Sequence, residues 1–358
     1  MVIRENKPVK YSKITGEIMK NLILVFISAI LFMQLISCKN NPVEPGANYP
    51  AGSRDYTWTI DILNSGYESI SLGRIWGSSS TDVWAVGSSS SVTTTIWHFN
   101  GNQWRCDSVG RNVQPSAVFG FSSNEVWLGS SNSTIWKYNG SNWQKYGDYK
   151  VSGFTRLDIN NFDGTSSNNI YGVGFVDINS YGIAVIMHYN GFGWSFINIP
   201  SVILLGLETV AIEPSSGVLV MSGTVYDPAG FIAKIYCLEG NDWKELLSGS
   251  GWSFVTKLGN EIFATLASKI YLYSNKQLVL WKDNSGRGIN GNIICGRSRN
   301  DFFIGGVNGI VHYNGTDFTT IYNTQLTVER GTVIGNDVFF IGIDYTNMKN
   351  YMIHGKLK

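Results

Sequence analysis

Three features of the chain predict an all-β fold. A unit of strand-like segments recurs along it. Its composition is short of charge and rich in glycine and aromatic residues, and one strand-like segment near the N-terminus has no partner of its own. Together they point to a β-propeller of seven four-stranded blades, with six or eight as the alternatives. Charged residues are 15% of the 358 and aromatic residues 13%, with 40 glycines. That balance disfavours long solvated helices and suits short strands joined by tight turns.

The unit is clearest in its first copy, Asp82-Val83-Trp84-Ala85-Val86-Gly87 followed by Ile96-Trp97-His98-Phe99-Asn100-Gly101-Asn102-Gln103-Trp104. The second runs Glu125-Val126-Trp127-Leu128-Gly129, then Ile135-Trp136-Lys137-Tyr138-Asn139-Gly140-Ser141-Asn142-Trp143. A third ends Ile186-Met187-His188-Tyr189-Asn190-Gly191-Phe192-Gly193-Trp194. Copies four to six keep register, with Trp243, Leu278 and Phe318 in the position of the last tryptophan. Apolar residues alternate as in strands, and Asn-Gly is the residue pair of a type I′ hairpin turn. A self-similar period of this length is the mark of a repeat architecture.

A seventh copy starts at Asn336 and stops short of a fourth strand, while Tyr56-Thr57-Trp58-Thr59-Ile60 has no blade. The expectation is that this N-terminal strand joins the C-terminal blade and leaves no open edge. The domain then spans residues 53–358, after a signal segment 1–37 and a flexible stalk 38–52.

The chain resembles secreted bacterial propellers carrying D-V-W-A-V-G and I-x-H-Y-N-G-x-x-W repeats, over nearly all of its length past the leader. The resemblance implies a fold and no activity. Gly-His, Trp-Asp, paired-glycine and Asp-box marks of other propeller families are absent.

The leader begins afresh at Met19-Lys20-Asn21, continues through an apolar run from Leu22 to Ile36, and ends Leu35-Ile36-Ser37-Cys38. A short basic start, an apolar core and a small residue before the cut describe a secretory signal. The ending looks like a bacterial lipobox, which implies lipid on Cys38; an uncleaved membrane anchor is the alternative. Lys39, with no aspartate beside the cysteine, favours the outer membrane of the cell envelope. Five of 27 basic and two of 26 acidic residues precede Cys38, leaving 22 against 24, or −2. No basic stripe exists, so nucleic acid is not an expected partner. Cys106, Cys237 and Cys295 suit small core positions rather than a disulfide framework.

His98, His188, His312 and His354 fall in one slot of the unit, with Lys137, Cys237 and Leu272 in the other blades. They are therefore spread around a ring and converge on no metal or substrate; no metal and no cofactor is expected. Asp82, Glu125, Glu261, Asp301 and Asp337 share a second slot and read as turn caps, with one calcium per blade as the alternative. The acids Asp163, Asp177, Glu213 and Asp227 lie off the repeat, and nothing pairs them as a glycosidase would require.

Function is expected on the face holding the second-to-third loops, longest at 176–182, 224–231 and 344–350, because a rigid scaffold concentrates binding residues in such loops. Asp177, Tyr181, Tyr226, Asp227, Trp252 and Trp281 are the candidate ligand-binding residues, the aromatics as exposed groups off the repeat. The expected function is a monomeric, non-enzymatic surface module that is tethered to the membrane by lipid and binds protein or polysaccharide. A carbohydrate-active or glucan-binding protein, glycosyltransferase-associated or glycosidase-like, is the alternative.

Overall fold

The computed structural model describes residues 50–63, 69–178, 181–202, 204–227, 230–287, 289 and 293–358. The signal segment, Cys38 and the stalk up to residue 49 lie outside the described residues. Within them, 28 strands form seven antiparallel four-stranded sheets. Six sheets use four consecutive strands. In the seventh, Tyr56–Leu63 is the outermost strand beside Lys349–Leu357, with Tyr56 opposite Leu357 and Leu63 opposite Asn350. The N-terminal strand therefore completes the last blade.

Seven apolar layers fill the gaps between successive sheets. One joins Phe339, Ile341 and Met352 of blade seven to Val83, Trp97 and Phe99 of blade one. Another joins Trp84 and Ile96 to Val126 and Trp143 of the second blade. Each sheet is buried on both faces, so both alternating side-chain rows of the middle strands are apolar. That is why Ile96, Trp97 and Phe99 are all buried although they point to opposite faces.

The Asn-Gly turns differ from the expected type I′ geometry, which needs positive φ at both central residues. Only the glycine is positive, at 90° for Gly101 and 92° for Gly140. The connection is a four-residue loop after the Phe99–Trp104 pair, and the Asn100 side chain accepts from the backbone N–H of Asn102 and Gln103, each at 3.1 Å. Asn139, Asn190 and Asn314 do the same. Asparagine acts here by mimicking a backbone turn. Blade five, which lacks Asn-Gly, makes the I′ turn, with Asn275 at 51° and Lys276 at 60° between paired Ser274 and Gln277.

The acids of the repeat do not cap turns. All but Glu261, which takes Arg299 of the next blade, reach the basic slot of their own blade: Asp82 to His98 at 2.6 Å, Asp301 to His312 at 2.9 Å and Asp337 to His354 at 2.6 Å. Glu125 takes Lys137 at 2.9 Å in blade two, and Asn169 takes His188 at 2.8 Å in blade three. The basic group lies against the aromatic residue two past the acid, as His98 stacks on Trp84 and Lys137 sits 4.6 Å over Trp127. Burial works to raise the Asp301 carboxyl, but the His312 hydrogen bond and the Arg297 charge outweigh it and hold the group below its usual range. His188, facing an amide rather than an acid, is pushed down by burial.

The first strand of five blades carries a bulge near the axis, at Gly73, Ser116, Asn160, Glu208 and Glu329. A bulge puts two residues against one and bends the strand. At that bend the second strand must approach closely. A Cβ on Gly174 would fall on the Asp158 carbonyl oxygen, and one on Gly87 on that of Ser71. The glycine ending D-V-W-A-V-G is thus a packing requirement. Gly174→Ala is expected to destabilise the fold by about 1–3 kcal/mol through overpacking, seen as a lower urea midpoint at unchanged slope; an unshifted midpoint would remove this explanation.

Candidate binding face

Strand polarity sorts the loops onto two faces. The Asn-Gly turns and first-to-second turns share one, called here the turn face; second-to-third turns and blade connections share the other, the loop face. Exposed large apolar side chains divide unequally between them. Among the described residues Phe192 is the single one on the turn face, whereas Val92, Val109, Tyr226, Phe231, Ile232, Trp252, Val307, Tyr345 and Met348 stand on the loop face. The rest lie on outer strands.

On that face a cavity of about 630 Å³ opens at the axis, walled by blades four to seven, among them Glu208, Trp252, Phe254, Val307, Glu329, Arg330 and Tyr345. A narrower space of about 290 Å³ continues the channel, with Arg74, Asp163, Lys257 and again Phe254 and Arg330 in its wall. The size suits a small ligand or an inserted side chain.

Local structure sets these residues. Trp252, 60% exposed, lies on the connection between blades four and five, where its carbonyl accepts from Ala267 at 3.0 Å. Tyr345 begins a turn capped by Asp344, which accepts from Thr346 and Asn347. Its hydroxyl donates to Glu329 at 2.8 Å. Glu208 and Glu329 are bulge residues, and Arg330 follows the second bulge. Arg330 lies 4.7 Å over the Phe254 ring and donates to the Glu329 carbonyl at 2.8 Å. Arg74 donates to the carbonyls of Asn160 at 2.8 Å and Gly73 at 2.9 Å. Burial first, and then the Arg74 charge, lower the Arg330 guanidinium to about 9, so it stays charged at neutral pH.

The expected site residues separate. Trp252 lines the cavity. Tyr226 stands on the same face, its ring edge-on to Phe231 at 5.3 Å. Asp177 faces Arg156 at 3.7 Å beside the blade-three hairpin. Tyr181 and Asp227 are backbone-paired with Ile178 and Gly230, and their side chains lie outside the described residues. Trp281 is not a surface aromatic of this face. It is the bulged residue of the outer strand of blade five and packs against Phe263, Phe302 and Tyr313 in the layer between blades five and six. In two of the expected long loops, at 176–182 and 224–231, the described residues are instead paired strand extensions, Val176 opposite Ile183 and Val225 opposite Ile232.

Asp163 is tied to Lys257 at 2.7 Å and caps Ile212 N–H at 2.8 Å, so it serves the channel wall. Among the described residues no group of three or more His, Cys, Asp or Glu side chains is arranged to hold a metal ion. The cavity residues that repeat reasoning passed over, Arg74, Glu208, Glu329 and Arg330, carry one sequence signal. They are charges inside first-strand segments that are otherwise small or apolar.

No protein-family model matches the chain, and no curated protein matches it. Solved structures do match. A structure described as YCF48 bound to a D1 peptide superposes with a TM-score of 0.55 at 12% identity, over 89% of this chain and 98% of that one. The β-propeller domain of Cps50 (Swd1) from Myceliophteria thermophila gives 0.55 at 8%, over 82% and 99%. The WD40 propeller domain of Doa1 gives 0.54 at 10%, over 82% and 97%. The fold is that of a seven-bladed β-propeller; at these identities the likeness extends to the fold alone.

One buried acid near the mouth makes stability depend on pH. Asp158 is 5% exposed, meets Arg156 with one oxygen at 3.0 Å, and its other oxygen has no partner. Burial raises its carboxyl to about 6, opposed by Arg156 and helped by Asp177 and Glu208. A carboxyl raised in the folded state binds more protons there than when unfolded, so stability falls as pH rises from about 4 to 6 and stays lower above. Asp158→Asn is expected to raise stability at pH 8 by about 1–3 kcal/mol and leave it unchanged at pH 3.5. Equal effects at both pH values would refute this.

Proposed function

We propose that the chain is a non-enzymatic binding module that takes a protein partner on its loop face around the axial cavity, and that it is held to the bacterial envelope by lipid on Cys38. The observation that carries the first part is the gathering of exposed apolar side chains on one face, with Trp252, Val307 and Tyr345 in the wall of its cavity, while among the described residues the other face has Phe192 alone. A contiguous apolar patch rimmed by polar groups marks a docking site. Rigid aromatic anchors such as Trp252 and Tyr345 are the residue types that dominate binding energy. That one structure of like fold is described with a bound peptide agrees with this reading.

A carbohydrate-hydrolysing role has less support. Glu208 and Glu329 both wall the cavity, but Glu329 accepts from Tyr345 and both lie in the field of Arg330.

A photo-crosslinking residue at 252 or 345 is expected to trap a protein from the envelope, and one at 192, on the turn face, is not. Equal trapping at 192, or hydrolysis of a polysaccharide by the chain, would overturn the assignment. For the anchor, a labelled fatty acid fed to cells is expected to appear on the chain and to disappear in Cys38→Ser; label persisting in that variant would refute it.

A further inference from the structure

Arg330 and Arg74, half-buried in the channel wall, differ from the buried acids of the ring. Asp158, Asp163 and Asp301 each have an arginine or lysine nitrogen within 3.3 Å, and Asp337 bonds His354 at 2.6 Å. Among the described residues neither arginine has a carboxylate within 4 Å, and each donates only to backbone carbonyls. Those bonds, with the Phe254 ring under one guanidinium, fix both forks while leaving donors free. Both groups wall the 290 Å³ space, and Arg330 also borders the larger cavity, so it stands at the neck between them. Two like charges in a half-enclosed space repel, and the repulsion is strong where water is scarce. Glu208 acts on both from beyond bonding distance, and Glu329 is held by Tyr345. A fixed fork with open donors is the group that binds oxyanions through paired hydrogen bonds.

We infer that Arg74 and Arg330 hold an oxyanion, a carboxylate or phosphate, at the neck of the axial channel. The inference deepens the proposed protein-binding role by naming the chemistry that the partner's inserted group must carry, though a free small anion satisfies the same donors. The apolar walls, Phe254 and Trp252, would receive whatever bears the anion. Glu208 then has a balancing role: its charge limits the repulsion between the arginines in the empty cavity and opposes the incoming anion.

The test uses the full chain with two probes, inorganic phosphate and a glutamate oligopeptide, against chloride and a glutamine oligopeptide at matched ionic strength. Melting temperature and titration calorimetry provide the readouts. Phosphate or the glutamate peptide is expected to raise the melting temperature beyond its control, and Arg330→Gln and Arg74→Gln each to lower affinity at least tenfold. Glu208→Gln is expected to raise affinity several-fold, a change that a merely structural role for the arginines would not produce. Arg330→Lys keeps the charge and loses the fork, and is expected to bind severalfold more weakly than the natural chain; it also serves should the glutamine variants not fold. A response to phosphate identifies a free-anion site, and a response to the glutamate peptide alone identifies a polypeptide carboxylate. No response to either probe, or a response unchanged in the arginine variants, overturns the inference. Crosslinking at position 252 that persists in that event would leave the binding role standing and remove only the anion.

Discussion

Every sheet of this protein is buried on both faces, and that constraint governs the rest. A strand covered on both sides cannot offer its middle to solvent, so apolar residues fill both alternating rows, as in Val83, Trp84, Ala85 and Val86. Polar chemistry is driven to the strand ends, the axis and the outer edge. Glycine, not a small side chain, stands where a bulged first strand bends inward, because the neighbouring carbonyl already occupies the space of a Cβ. The layers also explain why the last position of the repeat tolerates drift. Among the described residues Trp104, Trp143 and Trp194 bury indole N–H groups without an acceptor, so the slot needs apolar volume and nothing more. Phe318 and Leu278 supply that in blades where tryptophan is absent.

The sequence carried the repeat, the strand pairs within a blade and the closing role of Tyr56–Leu63, because alternation and recurrence are local patterns written in single residues. It did not carry the bulges. Whether two residues face one depends on how the next blade packs, and Glu208 and Glu329 reach the axis only through that choice. The partners of the repeated acids were hidden for a related reason. Asp82 lies 16 residues before His98, and only strand register brings them together. Trp281 was misplaced because the outer-strand bulge shifts it by one position, which exchanges an exposed direction for a buried one.

The two faces divide labour as a result. On the turn face the acids of the repeat are matched to a nearby histidine, lysine or arginine, and the turn asparagines to their own loops. Arg54 adds to this by donating to His312 Nδ1 and to Asp317, so that the His312 ring must carry its proton on Nε2, toward Asp301. On the loop face the groups at the axis are fixed in place and left with unused capacity. Matching on one side and surplus on the other agrees with the proposed binding role of the loop face.

Arg54 has a geometric consequence as well. It docks on the turn loop of blade six, and Gly52 packs on Asn314 of that loop, so the chain enters the ring from the side of the Asn-Gly turns. Anything that holds the protein by its N-terminus pulls from that side. The load of a tether there would fall first on the ladder between the first strand and the last.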